Sequence, residues 1–280
     1  LPVGSDLSLL KKLKKAAVGV FNLVETLNGS AIDSHLVPRF LEQNRIKYTG
    51  SSSTAVYVTT DKVLTKEILS SNGIPTPVWY SEKNRNNFEP GRYIFKPVAE
   101  DASIGITEES IKMVSSVGEA AELIEFFESK HKMVYFCEKF VEGREFNVSI
   151  IGRGGRPEVL APAEMLFLKS GIENNILCYD SKWKEESGKY KNSVRSFEFK
   201  ESDSELYELL RFYSKKCWDV FGLSGYARVD FRVDANNRPS VIEINANPCL
   251  APDGGFFAAA QNEGMSYQEM INRIVSEAQL

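Results

Sequence analysis

The chain has 280 residues, of which 42% are hydrophobic, 26% charged and 11% aromatic. This composition is typical of a globular protein with one or two packed cores and excludes a disordered or collagen-like chain. The formal net charge of −4 argues against a protein that wraps nucleic acid or an anionic membrane. The sequence has no apolar run of about 20 residues and no signal-peptide pattern at its start, so we expect a cytoplasmic protein.

Helices and strands alternate in the first quarter of the chain. Apolar periodicity predicts a helix over 5–17, and the apolar run 18–24 then indicates a buried strand. A second helix over 34–44 precedes a short strand over 46–49. This alternation predicts a small parallel sheet. A further helix runs from Asp61 to the cap signal Asn72-Gly73.

The rest of the chain is predicted to form mixed α and β units. The predicted strands are 78–80, 93–96, 133–138, several within 143–168, 226–233 and 241–245. The predicted helices are 118–130, 203–221 and 266–277. A Gly/Ser loop over 101–105 separates two of the strands, and the polar stretch 169–195 is predicted to be a loop. The fold class is therefore α/β, with α+β units in its second part.

The turn signal Asn236-Asn237 joins the last two predicted strands. A two-residue hairpin centred there places Asp230 opposite Glu243 and Arg228 opposite Asn245. All four side chains then lie on one face, because residues two apart in a strand share a face.

Two opposed carboxylates on a hairpin repel each other unless a cation offsets their charge. Carboxylate and amide oxygens suit Mg²⁺ or Mn²⁺, so this face is a candidate metal site. An alternative is that Arg228 forms a salt bridge with both carboxylates and that the cluster is structural. The same register places Pro239 opposite Asp234, at a position where its missing N–H costs no hydrogen bond.

The sequence contains none of the usual glycine-rich phosphate motifs, GxxxxGK[ST] or GxGxxG. The remaining candidates for phosphate binding are Lys62, Lys96 and the small-residue loop 101–105, whose backbone N–H groups can face phosphate oxygens. Lys96 lies between Phe95 and Pro97 at the end of an apolar strand. If it does not bind phosphate, a buried lysine in such a place forms an ion pair or extends its amine to solvent.

Eight short motifs follow one another between residues 18 and 275. They are Tyr48-Thr49-Gly50-Ser51, Asp61-Lys62, Ile74-Pro75-Thr76-Pro77, Phe95-Lys96-Pro97, Ser103-Ile104-Gly105, the run from Glu138 to Glu145, Arg228-Val229-Asp230 and the run from Glu243 to Pro248. In order and spacing they resemble the ATP-grasp superfamily and, within it, the D-alanine-D-alanine ligase family. The resemblance implies an ATP-grasp fold with a short, incomplete N-terminal parallel-sheet lobe over 1–62, a central lobe over 63–141 and a C-terminal lobe over 142–280.

The resemblance also implies which residues bind ATP. They are Lys62, Lys96, Ser103, Gly105, Glu138, Phe140, Val141, Glu145, Lys182 and Ile242. The two lysines Lys62 and Lys96 would contact the phosphates, Lys182 the γ-phosphate and Glu145 the ribose. The Ser103–Gly105 loop would close over the phosphates.

By the same resemblance, Asp230, Glu243 and Asn245 are the Mg²⁺ ligands, with two ions expected and Mn²⁺ as a substitute. Arg228, Lys182, Ser103 and Glu25 are the candidate catalytic residues. The implied activity is that of an ATP-dependent carbon-nitrogen ligase, which joins amino acids through an acyl phosphate. The implied partners are amino acids or short peptides, a second copy of the chain in a homodimer, and neither nucleic acid nor membrane.

The predicted substrate half departs from the family pattern. The family's usual Pro-Gly-Met-Thr and Ser-Leu continuation is replaced by the segment from Pro248 to Phe256, and its first strand and helix have no counterpart. We hypothesise that Glu25 and residues 252–256 line the carboxylate and amine sites. A role of Glu25 as a helix-dipole partner is the alternative. For the whole chain, an ATP-grasp phosphotransferase and a nucleotide-binding module without turnover are the competing functions.

Overall fold

The computed structural model describes residues 6–12, 19–81, 88–100, 105–167 and 193–278. The helices in these ranges are α1 (Leu36–Gln43), α2 (Ser53–Thr60), α3 (Lys62–Ser71), α4 (Val117–His131), α5 (Ser204–Phe221), α6 (Gly255–Asn262) and α7 (Tyr267–Ser276). The strands are β1 (Trp79–Tyr80), β2 (Gly91–Pro97), β3 (Ile111–Val114), β4 (Tyr135–Lys139), β5 (Arg144–Arg153), β6 (Arg156–Val159), β7 (Ala163–Phe167), β8 (Ser193–Ser196), β9 (Tyr226–Val233) and β10 (Pro239–Asn245). None of the helices in these ranges combines the length and the apolar character that crossing a bilayer requires.

Two antiparallel sheets organise the described chain. The smaller sheet has the strand order β1-β4-β2-β3, and the larger has the order β10-β9-β5-β7-β8 with β6 paired to β5. Helix α4 packs on one face of the smaller sheet, where Phe95, Phe127 and Cys137 form its core. The opposite face of that sheet borders a cleft between the two sheets.

The larger sheet has its own core, which also takes in helices from earlier in the chain. Leu210 and Trp218 of α5 pack with Phe146 and Val229 of the sheet, and so do Ala55 of α2 and Leu69 of α3. Helices α2 and α3 are therefore fixed against the strands that carry the predicted metal site. The division into three lobes stays a prediction, with its first boundary at the start of α3.

The N-terminal parallel sheet is smaller than the sequence predicts. Within the described residues its pairing is a single parallel bridge between Val20 and Tyr48. The ladder stops there because the next free N–H, that of Asn22, donates to the side chain of Thr49 (3.1 Å) instead of a strand carbonyl. The predicted helix over 5–17 is a 3-10 helix, Leu7–Lys12, and residues 13–18 lie outside the described ranges.

The sequence does not predict four of the described helices and strands, α2, α6, β3 and β8. The predicted loop over 169–195 is wrong at its end, because Ser193–Ser196 pair with β7. Helix α2 has the sequence STAVYVTT, which is rich in β-branched and hydroxyl residues of low helix propensity. It forms because Ser52 caps its first turn and because Ala55 and Val56 are buried in the larger core. Burial against a sheet, which local sequence does not reveal, thus decides its conformation.

Candidate active site

The predicted pairs of the last hairpin are confirmed. Asp230 lies opposite Glu243, and Arg228 lies opposite Asn245. The predicted partner of Pro239 is wrong, because Pro239 lies opposite Val233.

Two irregularities, each of one residue, explain why the hairpin prediction fails near the turn and holds at the site. The loop has three residues rather than two, since Asp234 N–H donates to the Arg238 carbonyl (3.2 Å) and Asn237 adopts a φ of +57°. A β-bulge at Ile242 then inserts one extra residue in β10 and shifts the register back.

Each carboxylate of the hairpin has a cationic partner. Arg228 donates two hydrogen bonds to Asp230, from Nε to Oδ1 (2.7 Å) and from an Nη to Oδ2 (2.8 Å). The Nζ atom of Lys62 lies 3.3 Å from Oε1 of Glu243. The alternative in which Arg228 forms a salt bridge with both carboxylates is therefore correct for Asp230. At Glu243, Lys62 of α3 provides a positive charge.

The donor set of the hairpin fits a hard divalent cation. The described ranges contain no group of three or more His, Cys, Asp or Glu side chains arranged to hold a metal ion. Mg²⁺, however, needs only one or two carboxylates and takes its other ligands from water and phosphates. Asp230 and Glu243 supply the carboxylates, and Oδ1 of Asn245, which accepts the N–H of Asn247 (2.9 Å), adds an amide oxygen.

A second polar face lies on the smaller sheet. Ile94 pairs with Glu138 and Lys96 pairs with Phe136, so Lys96 and Glu138 are diagonal neighbours on the face opposite α4. Nζ of Lys96 forms an ion pair with Oε1 of Glu138, and both residues are buried.

Lys66, which none of the sequence motifs includes, completes this cluster. Nζ of Lys66 forms an ion pair with Oε2 of Glu138 and donates to Oγ1 of Thr76 (2.8 Å). Burial lowers the pKa of Lys66. Burial alone would raise the pKa of Glu138, but Lys66 and Lys96 outweigh it and hold that pKa below its usual value. The sequence contains one indication of Lys66: it lies four residues after Lys62, which places both lysines on one face of α3.

The polar face and the hairpin face border one cleft. Its lining residues are Pro77, Ile94, Lys96, Ile106, Glu138, Lys139, Phe140, Val141, Glu145, Asp230, Arg232, Ile242 and Glu243. The cleft brings together six of the predicted nucleotide residues and two of the predicted metal ligands. Ser103 and Lys182 lie outside the described residues.

Arg232 is a further cleft residue that none of the sequence motifs includes. It is buried, its Nε donates to the Val141 carbonyl (3.0 Å), and its guanidinium lies 5.1 Å from the ring centroid of Phe140. An Nη atom of Arg232 lies 3.4 Å from Oε2 of Glu145. Burial lowers the pKa of Arg232, whereas the neighbouring Glu145 opposes that shift. Arg232 thus holds together the segment predicted to contact adenine and ribose.

Gly105 ends the predicted phosphate loop in a conformation that favours glycine. Its φ is +74°, and a Cβ there would lie 2.5 Å from the hydroxyl of Tyr135 and 2.9 Å from Pro97. The Tyr135 hydroxyl donates to the Gly105 carbonyl (3.0 Å), and burial raises the pKa of Tyr135 to about 12. The end of this loop is therefore packed on β2 and β4, next to the strand that carries Lys96.

The segment that carries Glu25 is bound to the turn after the predicted metal ligands. The Tyr226 hydroxyl donates to Oδ1 of Asn247 (2.5 Å), and Nδ2 of Asn247 donates to the Val24 carbonyl (3.1 Å). Burial, with a smaller effect of the Glu25 charge, raises the pKa of Tyr226. Glu25 itself is exposed, and its charge acts on Tyr226, which holds the Asn247 turn.

Comparison with known proteins identifies the family. A family model described as "D-ala D-ala ligase C-terminus" matches residues 82–276. The chain belongs to the D-alanine-D-alanine ligase family. It is an enzyme of the ATP-dependent carbon-nitrogen ligase class, and members of this family use ATP and Mg²⁺ and act on small-molecule substrates.

Individual relatives of this ligase family member cover most of its length. An uncharacterised protein of Sinorhizobium fredii is 30% identical over 262 residues, which are 92% of this chain and 74% of the relative. The D-alanine-D-alanine ligase of Albidiferax ferrireducens is 29% identical over 288 residues, covering 100% of this chain and 76% of the relative.

Solved structures confirm the ATP-grasp fold of the chain. The D-alanine-D-alanine ligase of Bacillus anthracis complexed with ATP matches with a TM-score of 0.71 at 21% identity, covering 98% of this chain and 83% of that one. The VanG D-Ala:D-Ser ligase of Enterococcus faecalis matches with a TM-score of 0.69 at 18% identity, covering 93% and 72%.

Proposed function

We propose that this ligase joins the carboxylate of one amino acid or short peptide to the amine of another, through an acyl phosphate formed with ATP. The observation that carries the proposal is the cleft that Lys96 and Glu138 of the smaller sheet line together with Asp230 and Glu243 of the hairpin. A buried cation suits a polyphosphate, and the hairpin carboxylates suit the ion that accompanies it.

The nucleotide is assigned to the smaller sheet and the segment that leaves it. Lys96 and Lys62 bind phosphate oxygens, and Phe140 and Val141 contact adenine at the point where β4 ends. Ile242, which the β-bulge turns into the cleft lining, packs on the base from the other side, and Glu145 binds the ribose. Gly105 lies at the end of the loop that, with Ser103, closes over the phosphates.

The metal is assigned to the hairpin. Asp230, Glu243 and Asn245 hold Mg²⁺, with two ions per active site and Mn²⁺ as a substitute. When bound, the metal neutralises charge that develops on the transferring phosphoryl group. Arg228 holds both oxygens of Asp230, so the carboxylate orientation is fixed before a cation binds.

The proposed reaction has two steps. A carboxylate oxygen of the first substrate attacks the γ-phosphorus of ATP, the bond to the β-phosphate oxygen breaks, and ADP leaves. The neutral amine of the second substrate then attacks the acyl carbon, the phosphate leaves with the bonding electrons, and the amine loses a proton. Arg228, beside Asp230 on the hairpin, stabilises the negative oxygen of the tetrahedral intermediate, and Lys182 and Ser103 act at the γ-phosphate.

The substrates are assigned to the hairpin end of the cleft. Glu25 binds the ammonium group of the first substrate, which its position beside the Asn247 turn supports. Residues 252–256 form the turn before α6 and its first two residues, and they contact the second substrate. The replaced Ser-Leu pattern in this segment argues that the amino acids differ from a pair of D-alanines. We also propose a homodimer and the three-lobe division at 1–62, 63–141 and 142–280.

ADP release tests this function. The purified chain is incubated with Mg²⁺-ATP and a panel of D- and L-amino acids and short peptides, singly and in pairs, and the products are weighed by mass spectrometry. The ligase predicts ADP release that depends on a pair and yields a new amide. A phosphorylated product without an amide supports the phosphotransferase, and ATP binding without turnover supports the nucleotide-binding module.

A further inference from the structure

Lys66 has no place in the assignments above, yet it is the most deeply enclosed lysine of the cluster. Its side chain is 2% exposed, compared with 10% for Lys96. It is not among the residues that line the cleft. Its amine contacts Glu138 and Thr76.

Each oxygen of the Glu138 carboxylate is held by a different lysine. Lys96 of β2 forms an ion pair with Oε1, and Lys66 of α3 forms one with Oε2. The cluster of Lys66, Glu138 and Lys96 therefore has one more positive than negative charge in a buried place. Without Lys66, the charges of Glu138 and Lys96 would cancel each other.

Lys66 also connects the two sheets. The Thr76 hydroxyl that accepts its hydrogen bond donates in turn to the Val241 carbonyl of β10 (2.8 Å). Val241 is two residues before Glu243, the predicted metal ligand. The backbone N–H of Lys62 donates to the Val98 carbonyl just after β2 (2.9 Å), which fixes the start of α3 at the strand of Lys96.

We propose that Lys66 is a positioning residue for ATP binding: by holding one oxygen of Glu138, it leaves the positive charge of Lys96 available to the polyphosphate. This inference rests on the proposed function, because it takes Lys96 to be a phosphate ligand. It predicts that loss of Lys66 weakens binding of the phosphates and changes the affinity for adenosine little, although Lys66 is assigned a contact with neither.

The test measures binding of the Mg²⁺ complex of a non-hydrolysable ATP analogue and of adenosine to each variant by calorimetry. In Lys66→Met, the analogue should bind about 10-fold or more weakly, since one unit of buried positive charge is lost. Adenosine affinity should change less than about 2-fold. The ratio of the two affinities is the readout, because a merely structural defect lowers both together.

Second-site variants make the test specific to charge. In Lys66→Met combined with Glu138→Gln, the net positive charge of the cluster returns, so the affinity ratio should rise above that of Lys66→Met. Glu138→Gln alone is measured as the reference, because Glu138 is itself a predicted ATP-binding residue. Lys66→Arg should also retain most of the ratio. Thr76→Val keeps all the charges and removes two hydrogen bonds, the one from Lys66 and the one to the Val241 carbonyl. It should weaken analogue binding selectively but by a smaller factor, even if Lys66→Met does not fold.

Lys216→Met is the matched control. Lys216 of α5 donates to the Asn72 carbonyl at the end of α3 (2.6 Å), so its loss removes a lysine that supports the same helix and does not line the cleft. It should leave the ratio unchanged.

Two outcomes would overturn the inference: an unchanged ratio in both Lys66→Met and Thr76→Val, or a lowered ratio that Glu138→Gln does not raise. If the wild-type chain itself fails to bind the Mg²⁺ analogue, the proposed function fails and the role of Lys66 fails with it.

Discussion

Replacing Gly143 by alanine should destabilise the fold and weaken ATP binding together. Gly143 lies just before β5 and has a φ of +136°, where residues with side chains are rare. A Cβ on Gly143 would overlap the carbonyl oxygen of Val233 and lie 3.2 Å from its carbonyl carbon. These atoms belong to the end of β9, which pairs with β5 through Arg144 and Val233.

The expected loss of unfolding free energy in Gly143→Ala has two parts. The unfavourable φ costs about 1–3 kcal/mol. Relief of the overlap requires a movement of roughly 1 Å at the end of the β5–β9 ladder, which loses one or two hydrogen bonds at about 0.5–1.5 kcal/mol each. The sum is about 1.5–6 kcal/mol, a large fraction of the stability of an ordinary domain.

Gly154→Ala provides the matched comparison. Gly154 also has a positive φ, +60°, but a Cβ there would have no atom within 4 Å. It should cost only the conformational strain of about 1–2 kcal/mol. Thermal unfolding followed by circular dichroism should therefore give a melting temperature about 4–8 °C lower for Gly143→Ala than for Gly154→Ala.

The two glycine variants should also differ in nucleotide binding. Displacement at Val233 moves the adjacent Arg232, which holds the Val141 carbonyl and Glu145 at the cleft. ATP affinity should therefore fall in Gly143→Ala and stay unchanged in Gly154→Ala. Equal melting temperatures and equal ATP affinities in the two variants would refute this reasoning.

Three further predictions concern single charges. Glu243→Gln should raise the Mg²⁺ concentration needed for half-maximal ADP release and lower kcat by about two orders of magnitude or more, with an unchanged circular dichroism spectrum; activity that survives at ordinary Mg²⁺ would refute the metal assignment. Lys96→Ala should raise the Kd for ATP about 10-fold or more while the melting temperature moves little, because Lys66 still holds Glu138; an equal loss of adenosine affinity would contradict it. Hydrogen bonds from Arg273 lower the pKa of the half-exposed Glu158, so this pair stabilises the fold above about pH 4.5 and its contribution is lost as the pH falls through the folded-state pKa. The difference in urea unfolding free energy between the wild type and Arg273→Gln should therefore shrink as the pH is lowered from 7, and a difference independent of pH would show that the pair contributes nothing by its charge.

The sequence predicts best the elements whose local signals and tertiary environment agree. Helix α5 was predicted over 203–221 and is observed at Ser204–Phe221, since a long amphipathic pattern ends at a left-handed Gly222. Helix α2 was missed because its residues favour a strand or loop locally. Only the burial of its apolar side chains against the larger sheet explains the helix.

The candidate site was predictable in its motifs and less so in the residues that support them. The pairing of Asp230 with Glu243 was predicted correctly although the loop is one residue longer than assumed, because the bulge at Ile242 offsets the error. Lys66 and Arg232 were missed because their partners, Glu138 and Val141, are distant in sequence. Spacing along the chain indicates which residues share a face, but it does not indicate which charge on another element they meet.

Transfer of oxygen from substrate to phosphate is the most direct test of the central claim. A substrate pair that supports ADP release is used with ¹⁸O in the carboxylate of the donor amino acid, and the released phosphate is analysed by mass spectrometry. Ligation through an acyl phosphate predicts that one ¹⁸O atom enters the phosphate with each amide formed. Phosphate without ¹⁸O, formed alongside the amide, would contradict the account.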